Sequence, residues 1–154
     1  MAEPILNKLV ADFGINPESF EDLELMKIGD ELYIMSKEVS VFKQLGTYRR
    51  GTKLAQVFAH SSKFAVGAIQ LFGKSATKNT IQLNYAESFM FAQGQEFAPR
   101  EKLDENSAGF VIAKYKQFPI GIGNYKEGKL KSSIPRSQVV RLGVRRRKVK
   151  YKKR

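Results

Sequence analysis

The residues of this 154-residue sequence best suited to chemistry are cations: 27 lysines and arginines against 15 acids, a formal charge of +12. Lys129 and Lys131 stand two apart, a spacing that puts both ammonium groups on one face of a strand, and Lys114 and Lys116 repeat it. Paired cations of this kind address neighbouring phosphates of a polyanion. Lys126 precedes the first pair and Arg136 continues the patch. A lysine ladder also shields an edge strand from aggregation. Glu127 is the single acid in residues 109–140, so phosphate contact is the expectation here. Between the lysine pairs lie Gly121 and Gly123, which lack a Cβ and can admit a phosphate to the backbone. A bend or bulge in a barrel would use the same two glycines equally well. Tyr48, Arg49, Arg50 and Lys53 form a second cluster, in which arginine beside an aromatic can stack on unpaired bases as well as bind phosphate. The last fourteen residues carry nine cations and no acid. Arg145, Arg146, Arg147, Lys148, Lys150, Tyr151, Lys152, Lys153 and Arg154 make that segment too charged and too little apolar to fold by itself.

Other chemistry is poorly supplied. With no cysteine, disulfides, thiolate metal sites and cysteine nucleophiles are excluded. The sole histidine, His60, has neither a triad context nor metal-ligand spacing and reads as a surface or capping residue. Glu101, Asp104 and Glu105 cluster in a polar stretch that reads as a solvated loop. The expectation is a protein that is not an enzyme and takes no cofactor or metal. No apolar run approaches the roughly 18 residues that span a bilayer. Residues 1–4 lack the marks of a signal peptide, which predicts a soluble, cytoplasmic protein. Residues 1–45 hold 4 cations against 9 acids, so the first helix offers no basic face to a membrane. One end of the molecule should meet a polyanion while the other faces water or protein.

These residues need elements to place them. Ile5, Leu6, Leu9, Val10 and Phe13 share a face of a helix opened by Pro4 and closed by Gly14. Asn16-Pro17 predicts a second helix to about residue 25. Residues 31–42 read as two strands turning at Ser36-Lys37, and 53–58 as a third. Ser61 or Ser62 suits the cap of a helix through 68–72, although Val66, Ile69 and Leu71 would also serve a strand. Residues 80–83 form a strand, after which Asn84 and Glu87 spell a capping box for a helix ended by Gly94. Strands follow at 109–115, 120–125, 129–134 and 137–142, with turns at 117–119 and 126–128. The order is that of a small mixed α+β barrel.

In residues 109–137, Phe118, Pro119, Ile120, Gly121 and Gly123 are followed by Gly128, Leu130, Lys131 and Pro135. This pattern resembles the PUA-like domain of RNA cytosine-5 methyltransferases of the Nop2/Sun group. Residues 76–97 are similar to the first strand, helix and second strand of PUA domains, and the first 75 residues look like the pre-PUA segment of archaeal proteins. The resemblance implies a pre-PUA-like region at 1–75, a PUA-type pseudobarrel at 76–143 and a basic tail at 144–154. The catalytic half of the family has no counterpart, because its two cysteines and a glycine-rich turn within a βαβ unit are both missing. What remains implied is the part that grips structured RNA in a groove between helix and barrel edge: rRNA first, tRNA second, not DNA. With the tail added, the expected role is a component of the archaeal ribosome beside ribosomal proteins. The alternative is a non-catalytic accessory to an RNA-modifying enzyme or ribosome-assembly complex.

Overall fold

Helix α1 (Glu3–Phe13) ends where Gly14 turns left-handed at φ +61° and donates its N–H to the Val10 carbonyl at 2.8 Å. A side chain at Gly14 would also strike the Thr77 hydroxyl, so two constraints select glycine there. The computed structural model describes residues 3–42, 51–104 and 109–139. Asn16 caps a single 3-10 turn (Pro17–Phe20) by accepting from the Glu18 N–H at 3.1 Å. The helix predicted to residue 25 stops at that turn. Residues 23–28 form strand β1 (Leu23–Ile28), paired along its whole length with β2 (Glu31–Ser36), and Leu23 and Leu25 pack against the core. Tertiary pairing here overrides the local preference.

A second departure follows at once. Ser36 does not turn the chain into another strand. Its hydroxyl accepts from the Val39 N–H at 3.3 Å and caps the one-turn helix α2 (Lys37–Ser40), which leaves Val41 and Phe42 exposed. β3 (Thr52–Val57) and β4 (Ser62–Phe64) complete an antiparallel sheet of order β1-β2-β3-β4. The seryl pair Ser61-Ser62 leads into β4, and the helix behind it, α3 (Val66–Phe72), has Ala65 at its cap position without a side-chain bond.

The second sheet has the order β5-β7-β8-β9-β6. Its strands are β5 (Thr80–Leu83), β6 (Glu96–Phe97), β7 (Gly109–Tyr115), β8 (Phe118–Lys126) and β9 (Lys129–Ser132), with helix α4 (Tyr85–Ala92) crossing between the parallel pair β5 and β7. This is an α+β arrangement with a PUA-type half-barrel. The capping box is formed as the sequence predicts: Asn84 accepts from the Glu87 N–H, and Glu87 accepts from the Asn84 N–H, both at 2.9 Å. Glu87 is 4% exposed and also accepts from the Arg100 N–H at 2.7 Å, which ties the following loop to the helix start. Asn84→Ala should therefore cost about 1 kcal/mol. A calorimetric melt should show this as a fall in Tm of about 2–4 °C.

β8 starts at Phe118, two residues before the predicted strand, and β9 ends at Ser132 rather than at 134. The strand predicted at 137–142 is replaced over Arg136–Gln138 by a 3-10 turn, and its residues from 140 onward lie outside the described part. The two sheets are not independent. Ile112 of β7 and Ile122 of β8 are buried in one cluster with Leu9, Phe13, Leu54 and Ile69 of the first half. Backbone bonds reinforce the seam, as the Thr77 and Lys78 N–H groups both donate to the Phe13 carbonyl, at 2.9 and 3.0 Å. A smaller cluster around Phe91, Val111, Tyr125 and Leu130 fills the half-barrel beneath α4. Among the described residues, no helix is long and apolar enough to cross a membrane.

Candidate functional site

Strands β8 and β9 are joined by Glu127 and Gly128 at φ +52° and +76°, the left-handed pair of a two-residue hairpin turn. Pairing across this hairpin sets Lys126 opposite Lys129, and Asn124 opposite Lys131. Tyr125 and Leu130 point inward and are buried, so Asn124, Lys126, Lys129 and Lys131 all face outward. Lys102 joins them from the loop after β6, with its Nζ 3.4 Å from the Gly128 carbonyl. That loop is anchored by the Leu103 N–H donating to the Tyr125 hydroxyl at 3.2 Å. Two acids border the row: Glu127 in the turn, and Glu96 of β6 opposite Lys131. Neither forms an ion pair with the three strand lysines in the described structure. Like charges set directly opposite destabilise a sheet, and an anion laid over Lys126 and Lys129 would relieve that repulsion.

The other sequence-predicted cations are used differently. The Lys114 Nζ donates to the backbone carbonyls of Lys74 and Ala76, at 3.3 and 3.0 Å, and burial holds its pKa below the usual lysine range. Lys116 does not share a strand face with it. A register shift interrupts β7 at Ala113/Lys114, and Lys116 lies beyond the strand end at φ +53° with its Nζ 5.5 Å from the Tyr115 ring centre. The expected phosphate ladder of Lys114 and Lys116 is thus one internal clamp and one cation over a ring. Lys53, on β3, is bound to Glu31, which also accepts from the Tyr33 hydroxyl. Arg136 is exposed, but on the 3-10 turn rather than on β9. That turn is framed by Ile134, packed towards Gly121, and Val139, packed towards Gly94. Tyr48, Arg49 and Arg50, and every tail residue from Arg145 to Arg154, lie outside the described residues.

Gly121 and Gly123 are buried and do not take positive φ. A Cβ on Gly123 would come within 2.8 Å of the Phe91 ring and 2.7 Å of a Leu130 methyl. The missing side chain at Gly123 lets Phe91 of α4 pack on the barrel, whereas a Cβ at Gly121 would meet only ordinary contacts, 3.4 Å from Ile134 and 3.5 Å from Phe91. Sequence reasoning missed two features of the surface. Lys102 gave no signal, because only the folded loop brings it to the hairpin. The exposed ring of Tyr85 stands against Phe89 at 4.7 Å and Tyr115 at 6.1 Å, beside Lys116. The i, i+4 spacing of Tyr85 and Phe89 was the available clue. His60 is exposed in the turn before β4, and no group of three or more potential metal ligands occurs among the described residues. Glu101, read as solvated, accepts from the Gln82 N–H at 2.5 Å.

Residues 78–140 match the family model described as the PUA domain of methyltransferase RsmF. The chain is 27% identical over 139 residues to ribosomal RNA small subunit methyltransferase F of Aeromonas salmonicida, and 25% identical over 139 residues to that of Aeromonas hydrophila. Each alignment covers 90% of this chain but 28% of the relative. The protein of the same name from Erwinia tasmaniensis is 27% identical over 119 residues, 77% of this chain and 24% of the relative. All three relatives are bacterial, and none is a ribosomal protein or archaeal, so they give no support to the archaeal ribosome expected above. The segment matched by the family model coincides with the second sheet and its capping-box helix, so the likeness to the PUA domain of methyltransferase RsmF falls on the half-barrel that carries the lysine row.

Proposed function

We propose that this chain is a non-catalytic RNA-binding unit that holds structured rRNA for a base-modifying enzyme of the Sun type. The observation that carries this reading is the outward row Lys126, Lys129 and Lys131 with Lys102, borne on the rigid β8–β9 hairpin and unpaired with any described acid. Rigid placement matters because phosphate contacts fix register and orientation on folded RNA rather than reading sequence. The Tyr85–Tyr115–Lys116 cluster supplies a surface for bases beside the same half-barrel. That the relatives are named as small-subunit rRNA methyltransferases favours attachment to modification over permanent membership of the ribosome. The absence of cysteine supports a holding role rather than nucleophilic attack on a base.

The test is the triple variant Lys126→Glu/Lys129→Glu/Lys131→Glu in the full chain, titrated with a folded small-subunit rRNA fragment at several salt concentrations. Each phosphate contact contributes about 0.7–0.9 log units per decade of salt. Loss of three contacts should weaken binding about a hundredfold at 0.1 M salt and flatten the salt slope by about 2. Wild-type affinity and slope in a variant that melts normally would overturn the assignment of this face.

A further inference from the structure

The seam between the two halves encloses a cavity of about 550 Å³ that the hairpin row does not use. Its floor is apolar: Phe13 and Phe64 meet edge to face at 6.3 Å, and Ile69 and Ile122 close the sides. Its mouth carries two large rings left in water. Phe58, just after β3, is 48% exposed, and Phe110 of β7 is 62% exposed. The two come from different sheets, so the cavity exists only because the halves pack together. A family match confined to residues 78–140 covers Phe110 and Ile122 but not Phe13, Phe58 or Phe64.

The chemistry of the mouth selects an occupant. Lys63 is exposed on β4, and Lys8 lines the same cavity in an exposed ion pair with Asp12 at 2.8 Å. The single carboxylate is therefore already matched, while Lys63 forms no ion pair with a described residue. The size falls within the range of pockets that hold small-molecule-sized groups. Aromatic walls with hydroxyls and a cation at the rim suit a flat heterocycle attached to a phosphate. We propose that the seam cavity receives one unstacked nucleotide of a bound RNA, its base against Phe110 and Phe58 and its phosphate towards Lys63. This inference rests on the RNA-binding reading and adds a contact with single-stranded RNA that the hairpin lysines cannot supply.

Two probes of equal length test it with the full chain: a stem–loop RNA carrying 2-aminopurine in the loop, and a fully paired duplex. Stacking of one base on an aromatic is worth about 1–3 kcal/mol by alanine substitution, roughly fivefold to a hundredfold in affinity. Phe110→Ala should lose about tenfold or more on the stem–loop, remain within about twofold on the duplex, and abolish fluorescence quenching of the loop base. Phe110→Trp should restore both readouts. Because both rings are exposed, Phe58→Ala gives a second route should one variant melt early. Equal losses on the two probes, or no loss on either, overturn the cavity assignment while leaving the hairpin reading intact. A wild-type chain that binds neither probe overturns both. A pocket that instead takes an apolar side chain of a protein would show unchanged RNA affinity in Phe110→Ala, and that result also rejects the proposal.

Discussion

Deleting residues 144–154 should weaken association with folded rRNA about a thousandfold at 0.1 M salt and leave the melting temperature of the remaining chain unchanged. The estimate follows from charge alone. The segment holds eight cations and no acid. If half of them meet phosphates, each removes about 0.7–0.9 log units per decade of salt, and four contacts together amount to about three log units between 0.1 and 1 M. The slope of log affinity against log salt should flatten by about 3, and affinity near 1 M should barely change. Stability should be spared because, among the described residues, the shared core runs from Ile5 to Ile122 and the half-barrel cluster extends no further than Ile134. A filter-binding titration across salt reads both quantities. Unchanged affinity at low salt would count against any RNA role for the segment. A uniform loss at every salt concentration would point to a damaged fold instead.

Much of the scaffold was legible because its signals are local. Gly14 ends α1, Asn84 and Glu87 box the start of α4, and Glu127-Gly128 turns the hairpin, each within a few residues of the chemistry that requires it. The strands at 80–83 and 109–115 were readable from composition for the same reason. What failed depends on distant partners. Residues 23–25 read as the end of a capped helix until β2 offers β1 a full register of backbone bonds. Ser36 fits a turn or a helix cap equally well, and only the fold decides between them.

The site shows the same division. Lys129 and Lys131 needed only the two-residue period of a strand, and the structure keeps them on one outward face. Lys114 and Lys116 carry the same period, yet a register shift and a left-handed residue separate them, and backbone carbonyls at residues 74 and 76 capture Lys114. Lys53 meets Glu31 across a strand pair joined by a 15-residue connection, residues 37–51, which no local pattern reveals. Cation spacing thus tells which ammonium groups can share a face, but not which are already committed to the protein's own carbonyls and carboxylates.

The glycine pair gives the sharpest separation between a packing role and a phosphate-binding role. Gly123→Val should destabilise the fold by about 3 kcal/mol, because the new side chain must displace both the Phe91 ring and a Leu130 methyl from a filled core. Even the Cβ would stand 3.0 Å from the Lys131 carbonyl, and backbone cannot swing aside as a flexible side chain can. Gly121→Ala meets only ordinary contacts, 3.4 Å to Ile134 and 3.5 Å to Phe91, and should change stability by less than about 1 kcal/mol. A phosphate-binding role predicts a different pattern: both variants would melt normally and bind RNA less well. Urea denaturation of the two single variants, with RNA affinity measured under conditions where each is folded, decides the matter. Near-wild-type stability in Gly123→Val would mean that α4 does not press on the barrel as the Phe91 contact requires. The hairpin carrying Lys126, Lys129 and Lys131 would then lose the support from behind that holds its outer face in register.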